Sequence, residues 1–388
     1  MKKIPKPVII LGLVSLFTDI ASEMLYPVTP LFMVSLGASM GVIGLVEGLA
    51  EVTAGFLKGY FGFLSDKVKR RNIFVVTGYT LSALSKPLPG IFSSIGVVVG
   101  SRVTDRIGKG IRTAPRDALL ASYSDGNTGA IFGFHRAMDT LGAAIGPIIA
   151  LILLYFYKVD YKFIFLIAFV PSILAVIVTL FVKDNYKGSK EREKVSYISF
   201  MKEAPKEYKI LLLLITIFSF ANSSDVFIIL KAGNISKSSN YAIAGYIFYN
   251  LVYALSSYPI GKFADKLGKR NIFTAGILLF SFIYLGFGLL EQPNLIIIFI
   301  LFIIYGIYAS STEGVTKAWV SDLIHDSRRS SAIGLLTMIQ SFAVMLGSVA
   351  AGVIWDQFGS QWMFYTSAIL SFLVFLSLLF WRNKINKV

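Results

Sequence analysis

Between Ser101 and Asp117 the chain reads SRVTDRIGKGIRTAPRD, which sets five cations (Arg102, Arg106, Lys109, Arg112, Arg116) and two carboxylates (Asp105, Asp117) in an otherwise apolar stretch. At about 100° per residue, Arg102, Asp105, Arg106, Lys109, Arg112 and Arg116 share one broad stripe of a helix. Such a ladder either lines an aqueous cavity or forms ion pairs that hold neighbouring helices. Arg102, Asp105, Arg106 and Lys109 are candidates for a substrate cavity. Arg112, Arg116 and Asp117 are expected to close its inner end as a gate. Gly100, Gly108 and Gly110 would let a neighbouring backbone approach.

Acidic residues in other apolar stretches are the candidates to carry protons, because a carboxylate held away from water resists ionisation. Asp19 lies about 16 Å into the first stretch at helical rise, with Glu23 one turn further on the same face. Each is expected either to carry a proton or to pair with Arg102 or Arg106. Glu47, Glu51 and Lys58 share a stripe of the second stretch. His135 and Asp139 form an i, i+4 pair able to relay protons or to make a structural hydrogen bond. Asp225, three residues after Asn222, sits at the place in the second half that corresponds to Glu23. Glu313 and Lys317 are one turn apart and suit either a cavity or an intrahelical pair. The proton-coupling candidates are thus Asp19, Glu23, Glu51, Asp139 and Asp225, and Asn222, Glu313 and Lys317 join the cavity set.

Other chemistry finds little support. There are no cysteines and only two histidines, so thiol and cysteine-metal chemistry are excluded and no HExxH zinc motif is present. No G-x-x-x-x-G-K-[ST] phosphate loop occurs, so ATP is not expected to supply energy. No nucleophile–base or metal constellation stands out. The expectation is no enzyme, no metal and no cofactor, with a proton gradient as the energy source.

The elements that must position these residues follow from composition. The chain has 388 residues, 55% of them hydrophobic and 15% charged, with a mean hydropathy of +0.70. That is far fewer charges than the roughly 25% usual in soluble domains. Apolar runs recur near the length of ~20 residues that a spanning helix needs. Twelve spans are predicted, over 8–36, 41–64, 72–92, 94–120, 128–156 and 162–182, then 209–231, 241–263, 271–290, 294–320, 330–355 and 361–381. The first run is too long for a cleaved leader and is read as a spanning helix. The polar stretch between the sixth and seventh spans sets the expected division: 1–183, a linker 184–208, and 209–388. The net charge of +15 does not point to nucleic acid. With the amino terminus inside, only Lys86, Lys158, Lys162, Lys231 and Lys237 fall on the outer side. This bias is the positive-inside rule, and it places both termini in the cytoplasm; the absence of cysteines and the short loops suit a bacterial or archaeal cytoplasmic (inner) membrane.

The two halves repeat. DKVKRRNIF, from Asp66 to Phe74, recurs as DKLGKRNIF, from Asp265 to Phe273, after the second span of each half. Gly133 and Gly146 recur as Gly334 and Gly347. A duplicated six-span unit explains both, and transporters are commonly built from such repeats.

The chain resembles the major facilitator superfamily. GYFGFLSDKVKRR (Gly59–Arg71) is similar to its loop motif G-x-x-x-D-[RK]-x-G-[RK]-[RK], with Gly62 and Asp66 in place and Lys69 where the second glycine is usual. RIGKGIRTAPRDA is similar to the fourth-helix R-x-x-Q-G motif, with Lys109 in the Gln position. GAAIGP (Gly142–Pro147) matches the fifth-helix G-x-x-x-G-P pattern. The resemblance covers nearly the whole chain. It implies an all-α integral membrane protein of 12 transmembrane helices in two pseudo-symmetric six-helix bundles. It also implies gating roles for Gly62, Asp66, Arg70, Asp265 and Lys269, and for Gly142, Gly146 and Pro147. The third, sixth, ninth and twelfth spans, almost free of charge, would be the outer, lipid-facing helices.

The expected function is therefore secondary transport of a small molecule by alternating access. Proton-coupled efflux comes first, because G-x-x-x-G-P is associated with exporters in that family. Proton-coupled uptake of an anionic nutrient is the alternative, and a membrane sensor using the same fold is a third. Expected partners are the substrate, protons and membrane lipids, with no nucleic acid, and the chain is expected to act as a monomer.

Overall fold

A computed structural model describes residues 4–68, 70–123, 128–158, 160–182, 184, 197–324 and 329–381. The described residues are helical, with no strand among them. Nine segments are long and apolar enough to cross a membrane. The remaining expected spans are helices of the described chain as well, and each has a visible reason to miss that criterion. α4 (Arg71–Ser85) and α5 (Leu88–Ile91) are cut short at Lys86–Pro87. α6 (Ile95–Ser122) carries the charge ladder. α12 (Ser239–Leu267) is rich in tyrosine and serine.

The first unit comprises Met1–Ala38 and Leu49–Arg192. Its first span is α1 (Lys6–Leu25) continued by α2 (Val28–Ser35). The two are separated at Pro27, whose ring cannot extend the helical ladder. α3 (Met40–Val68), α4 with α5, α6, α7 (Thr128–Tyr155) and α8 (Tyr161–Thr179) follow. Val8, Leu11 and Val14 of α1, Val75 and Tyr79 of α4, and Leu119 and Leu120 of α6 form its apolar core. The end of α4 is fixed by Asp184, whose Oδ2 accepts the N–H groups of Arg71 at 2.6 Å and Asn72 at 3.1 Å. Arg71 is buried and donates from Nη1 to the carbonyl of Ala118, so it ties two helices together and is more than a surface anchor.

The second unit comprises Ser39–Gly48 and Glu193–Val388. The opening turns of α3 therefore pack with the carboxy-terminal helices: Asp356 caps α3 by accepting the N–H groups of Met40 at 2.8 Å and Gly41 at 2.7 Å. A short helix α9 (Tyr197–Glu203) leads into α10 (Lys206–Ala221) and α11 (Val226–Ser236), two pieces of one span. Then come α12, α13 (Lys269–Leu289), α14 (Leu295–Leu323), α15 (Arg329–Phe358) and α16 (Ser360–Phe380). This core is aromatic, with Phe218, Phe280 and Tyr308 in mutual ring contact, and Phe287 beside Phe364.

The repeat is visible in packing. Any Cβ on Gly146 of α7 would come 2.6 Å from the carbonyl oxygen of Ile20 in α1. Gly347 of α15 presses on the carbonyl of Phe220 in α10 in the same way. Ser94 and Asn294 cap the fourth helix of each half, accepting the N–H groups of Val97 and Ile297. Large apolar side chains such as Phe156, Leu255, Tyr258, Ile296 and Phe380 face outward, and ionic groups such as Lys86, Arg102 and Asp105 are buried. That is the arrangement expected of a chain solvated by lipid.

Candidate functional site

In the first unit the ladder of α6 is held against α4 by a glycine seam. A Cβ on Gly108 would come 2.5 Å from the carbonyl of Gly78, and one on Gly78 would come 2.6 Å from the carbonyl of Gly108. Gly110 sits equally tightly on Leu57 of α3, and Gly62 of α3 on Ala114. Gly100, expected to serve the same purpose, faces open space. Its place near the start of α6 precedes the seam.

Across this seam Lys86 Nζ donates to Asp105 Oδ1 at 2.7 Å, with both side chains nearly sealed from solvent. Ser101 donates to the carbonyl of Ser85, and Ser82 to that of Asp105. Arg112 donates to Ser82 Oγ at 2.5 Å and lays its guanidinium 4.5 Å from the Tyr79 ring centre. Lys86, expected near the outer end of the third span, is 3% exposed and is the ionic partner of Asp105, a pairing that the sequence did not indicate.

Arg102 stands over the Tyr26 ring at 5.4 Å, and Arg106 Nε is 3.9 Å from Asp105 Oδ2. Lys86, Arg102 and Asp105 line a small pocket of mixed character with Ser22, Thr29 and Ser101 on one hand and apolar residues such as Leu25 and Phe165 on the other. Lys109 and Arg116 of α6 are cations that act electrostatically on Asp19. Glu23 and Asp139 act on Asp19 from the acidic side. Lys109 is in turn within reach of Glu51 on α3. Ser15 donates to Asp139, and His135 Nδ1 lies 3.5 Å from its other oxygen. Gly142 makes this possible: its Cα packs on α1 at Leu16, Asp19 and Ile20, where any side chain would collide. The result is a carboxylate, Asp19, acted on by groups of both signs from α6, α7 and its own helix.

The gating candidates divide. Arg116 Nη2 is 2.9 Å from Asp117 Oδ1, and Arg112 is committed to α4. Gly142, Gly146 and Pro147 lie along α7, where the two glycines seat it on α1. Arg70 precedes α4 as its exposed N-cap. Lys269 pairs with Asp322 of α14 at 2.5 Å and lies 3.8 Å from Asp265. Asp66 belongs to α3, and its side chain lies outside the described residues, as do Lys69 and Gly133.

In the second unit the charged candidates meet tyrosines. Asp225 accepts the hydroxyl of Tyr305 at 2.6 Å on Oδ1 and that of Tyr249 at 3.3 Å on Oδ2. Glu313 accepts the hydroxyl of Tyr253 at 2.7 Å, and Lys317 makes no ion pair with it among the described residues. Ring contacts continue the cluster, from Tyr246 to Tyr249 and from Tyr249 to Tyr253 on α12, and across to Tyr305 and Tyr308 on α14. The spacing of Tyr246, Tyr249 and Tyr253 marks one helix face and was the available signal for this cluster. Asn222 stands where α10 ends.

The comparisons agree with this architecture. The family model described as Major Facilitator Superfamily matches residues 11–247 and 210–388. An uncharacterized MFS-type transporter of Methanocaldococcus jannaschii is 36% identical over 98% of this chain and 96% of its own length. A multi-drug resistance efflux pump PmrA homolog of Lactococcus lactis subsp. lactis is 23% identical over 71% of each chain. Among solved structures, the nucleoside transporter NupG superposes with a TM-score of 0.83 over 97% of this chain and 100% of that one, at 14% identity, a likeness of fold.

Proposed function

The chain belongs to the Major Facilitator Superfamily and is a multi-pass membrane transporter of a small molecule, not an enzyme, and from that premise we propose that it exports its substrate in exchange for protons by alternating access. The observation that carries the coupling is the position of Asp19. It is flanked by Lys109 and Arg116 on one side and by Glu23 and Asp139 on the other. A carboxylate with mobile partners of both signs can hold a proton in one arrangement and a cation in another. Proton loading then alters which helix it is drawn to. Glu23, Glu51, Asp139 and Asp225 are the further carboxylates on this reading. Arg102, Asp105, Arg106, Lys109, Asn222, Glu313 and Lys317 are the proposed cavity set.

Export is favoured by the Gly142–Pro147 pattern and by the likeness to a protein named as a multidrug efflux pump. An orientation with both termini in the cytoplasm is supported by the lysine and arginine bias along the sequence. The test is flux in proteoliposomes with an imposed pH gradient. Substrate extrusion must need the gradient, collapse with a protonophore, and be matched by counter-movement of protons.

Uptake of an anionic nutrient with protons is the second reading, favoured by the buried cations around Lys86 and Arg102. Accumulation down an inward proton gradient in the same vesicles would select it over export.

A further inference from the structure

α10 and α11 form one membrane span broken at Asn222–Asp225. The breaks after α1 and α4 contain prolines, whereas this one reads Asn-Ser-Ser-Asp. The first unit breaks its first span too, but about a turn later, after Leu25 and at Pro27, and α1 runs through Ser22 and Glu23; the second unit breaks without a proline and places its polar residues in the break.

Irregular backbone at membrane depth leaves polar groups that hydrocarbon cannot satisfy. Some are met: the N–H of Ser224 donates to Ser348 Oγ at 3.0 Å, and that of Asn222 to the carbonyl of Phe218 at 2.7 Å. The oxygens are not. Asn222 Oδ1 and Ser223 Oγ are buried without a hydrogen-bond partner, and Ser223 is 3% exposed. The carbonyls of Ala221, Asn222 and Ser223 accept no bond from any described residue. The hydroxyl of Tyr284, also buried, is turned toward those of Ser223 and Tyr305 and can donate to either. Asp225 completes the group. No described cation pairs with it, and the charged residues that act on it, Glu313 and Glu47, are both acids.

Asn222 Oδ1 and the carbonyls of Ala221, Asn222 and Ser223 can only accept, and they lie in the chain next to a carboxylate with no described cation partner, at the carbonyl end of α10, where the helix dipole adds negative potential. A proton would neutralise Asp225 but could satisfy only one further acceptor. A metal cation shared among several oxygens answers all of them, and unwound carbonyls at half-helix ends are a recurrent way to hold one. A single carboxylate among neutral oxygens suits one positive charge. The geometry points to a binding site for a monovalent alkali cation, sodium, at the α10–α11 break, held by Asp225, Asn222 Oδ1, Ser223 Oγ and the freed carbonyls. A coupling role for this ion rests on the transporter reading, but its binding does not.

The experiment is equilibrium binding of radiolabelled sodium to the purified full chain in detergent, at constant ionic strength and without any flux. Saturable binding that unlabelled sodium displaces and choline does not is expected. Asn222→Ala and Ser223→Ala should each weaken it roughly tenfold, and Asp225→Asn should abolish it. The two alanine variants keep the test open if Asp225→Asn fails to fold. Absence of saturable binding by monodisperse protein, or binding unchanged in both alanine variants, overturns the proposal. So does displacement by methylammonium in preference to sodium, which would assign these oxygens to an amino group of the substrate. Loss of transport with sodium binding intact would count against the proposed transport function alone.

Discussion

Lys86 and Asp105 meet at 2.7 Å inside the first unit, joining the break after α4 to the middle of α6. Around them Ser82 donates to the carbonyl of Asp105 and Ser101 to that of Ser85, between the same helices. Removing one charge strands the other away from water, at a cost of about 3–5 kcal/mol, whereas removing both leaves a polar but uncharged seam. Lys86→Met should therefore lower the thermal midpoint in detergent sharply, and Lys86→Met with Asp105→Asn should recover most of the loss. Additive losses in the double variant would show that the two charges do not depend on each other.

Proton coupling is tested at Asp19. Asp19→Asn cannot gain or lose a proton, so gradient-driven transport should vanish while exchange of labelled for unlabelled substrate continues. Glu23→Gln should show the same separation more weakly if it assists as a neighbouring carboxylate. Paired flux assays with and without a pH gradient make the measurement. Full gradient-driven transport by Asp19→Asn would remove that residue as the carrier.

The glycine contacts predict a graded response to one methyl group. Gly146→Ala and Gly347→Ala place it against a backbone carbonyl, which cannot swing aside, and each should cost about 1–3 kcal/mol. Gly100→Ala meets open space within a helix and should be neutral or stabilising by up to about 1 kcal/mol. Thermal unfolding of the three variants, read by size-exclusion survival after heating, provides the comparison.

Lys269 and Asp322 supply a contrast with the buried pair. Although they approach to 2.5 Å, the Asp322 side chain is more than half exposed, and water screens the attraction. Lys269→Ala should cost no more than about 1 kcal/mol, and raising the salt concentration should shrink even that difference. A loss as large as that of Lys86→Met would mean that Lys269 acts in gating, through a contact made in another conformation.

Much of this was legible in the sequence because lipid reverses the usual rules. Charges in apolar runs must turn inward, so Asp19, Asp225 and the α6 ladder announced an interior, and DKVKRRNIF with DKLGKRNIF announced a duplication. Pairing was less legible. Helical period places Arg102, Arg106 and Lys109 on one face, yet their partners depend on how far α6 slides along α1 and α4. The glycine seam at Gly78 and Gly108 sets that slide. The pairing of Lys86 with Asp105 was not legible because it joins two helices 19 residues apart in the chain. The Tyr249, Tyr253 and Tyr305 contacts escaped notice because tyrosines in a membrane chain read as interfacial anchors, and only tertiary structure turns their hydroxyls onto Asp225 and Glu313.

The paired contacts of Gly146 and Gly347 have an experimental use. Because α7 on α1 and α15 on α10 follow one template, each half of the chain serves as an internal reference for the other. Subtracting one from the other cancels the inherited scaffold and leaves the residues at which the two copies diverged after duplication. Among those differences are basic neighbours around Asp19 in one copy and phenolic neighbours around Asp225 in the other. Exchanging segments between the copies, in place of random mutagenesis, would therefore reveal which half has specialised for the ion and which for the cargo.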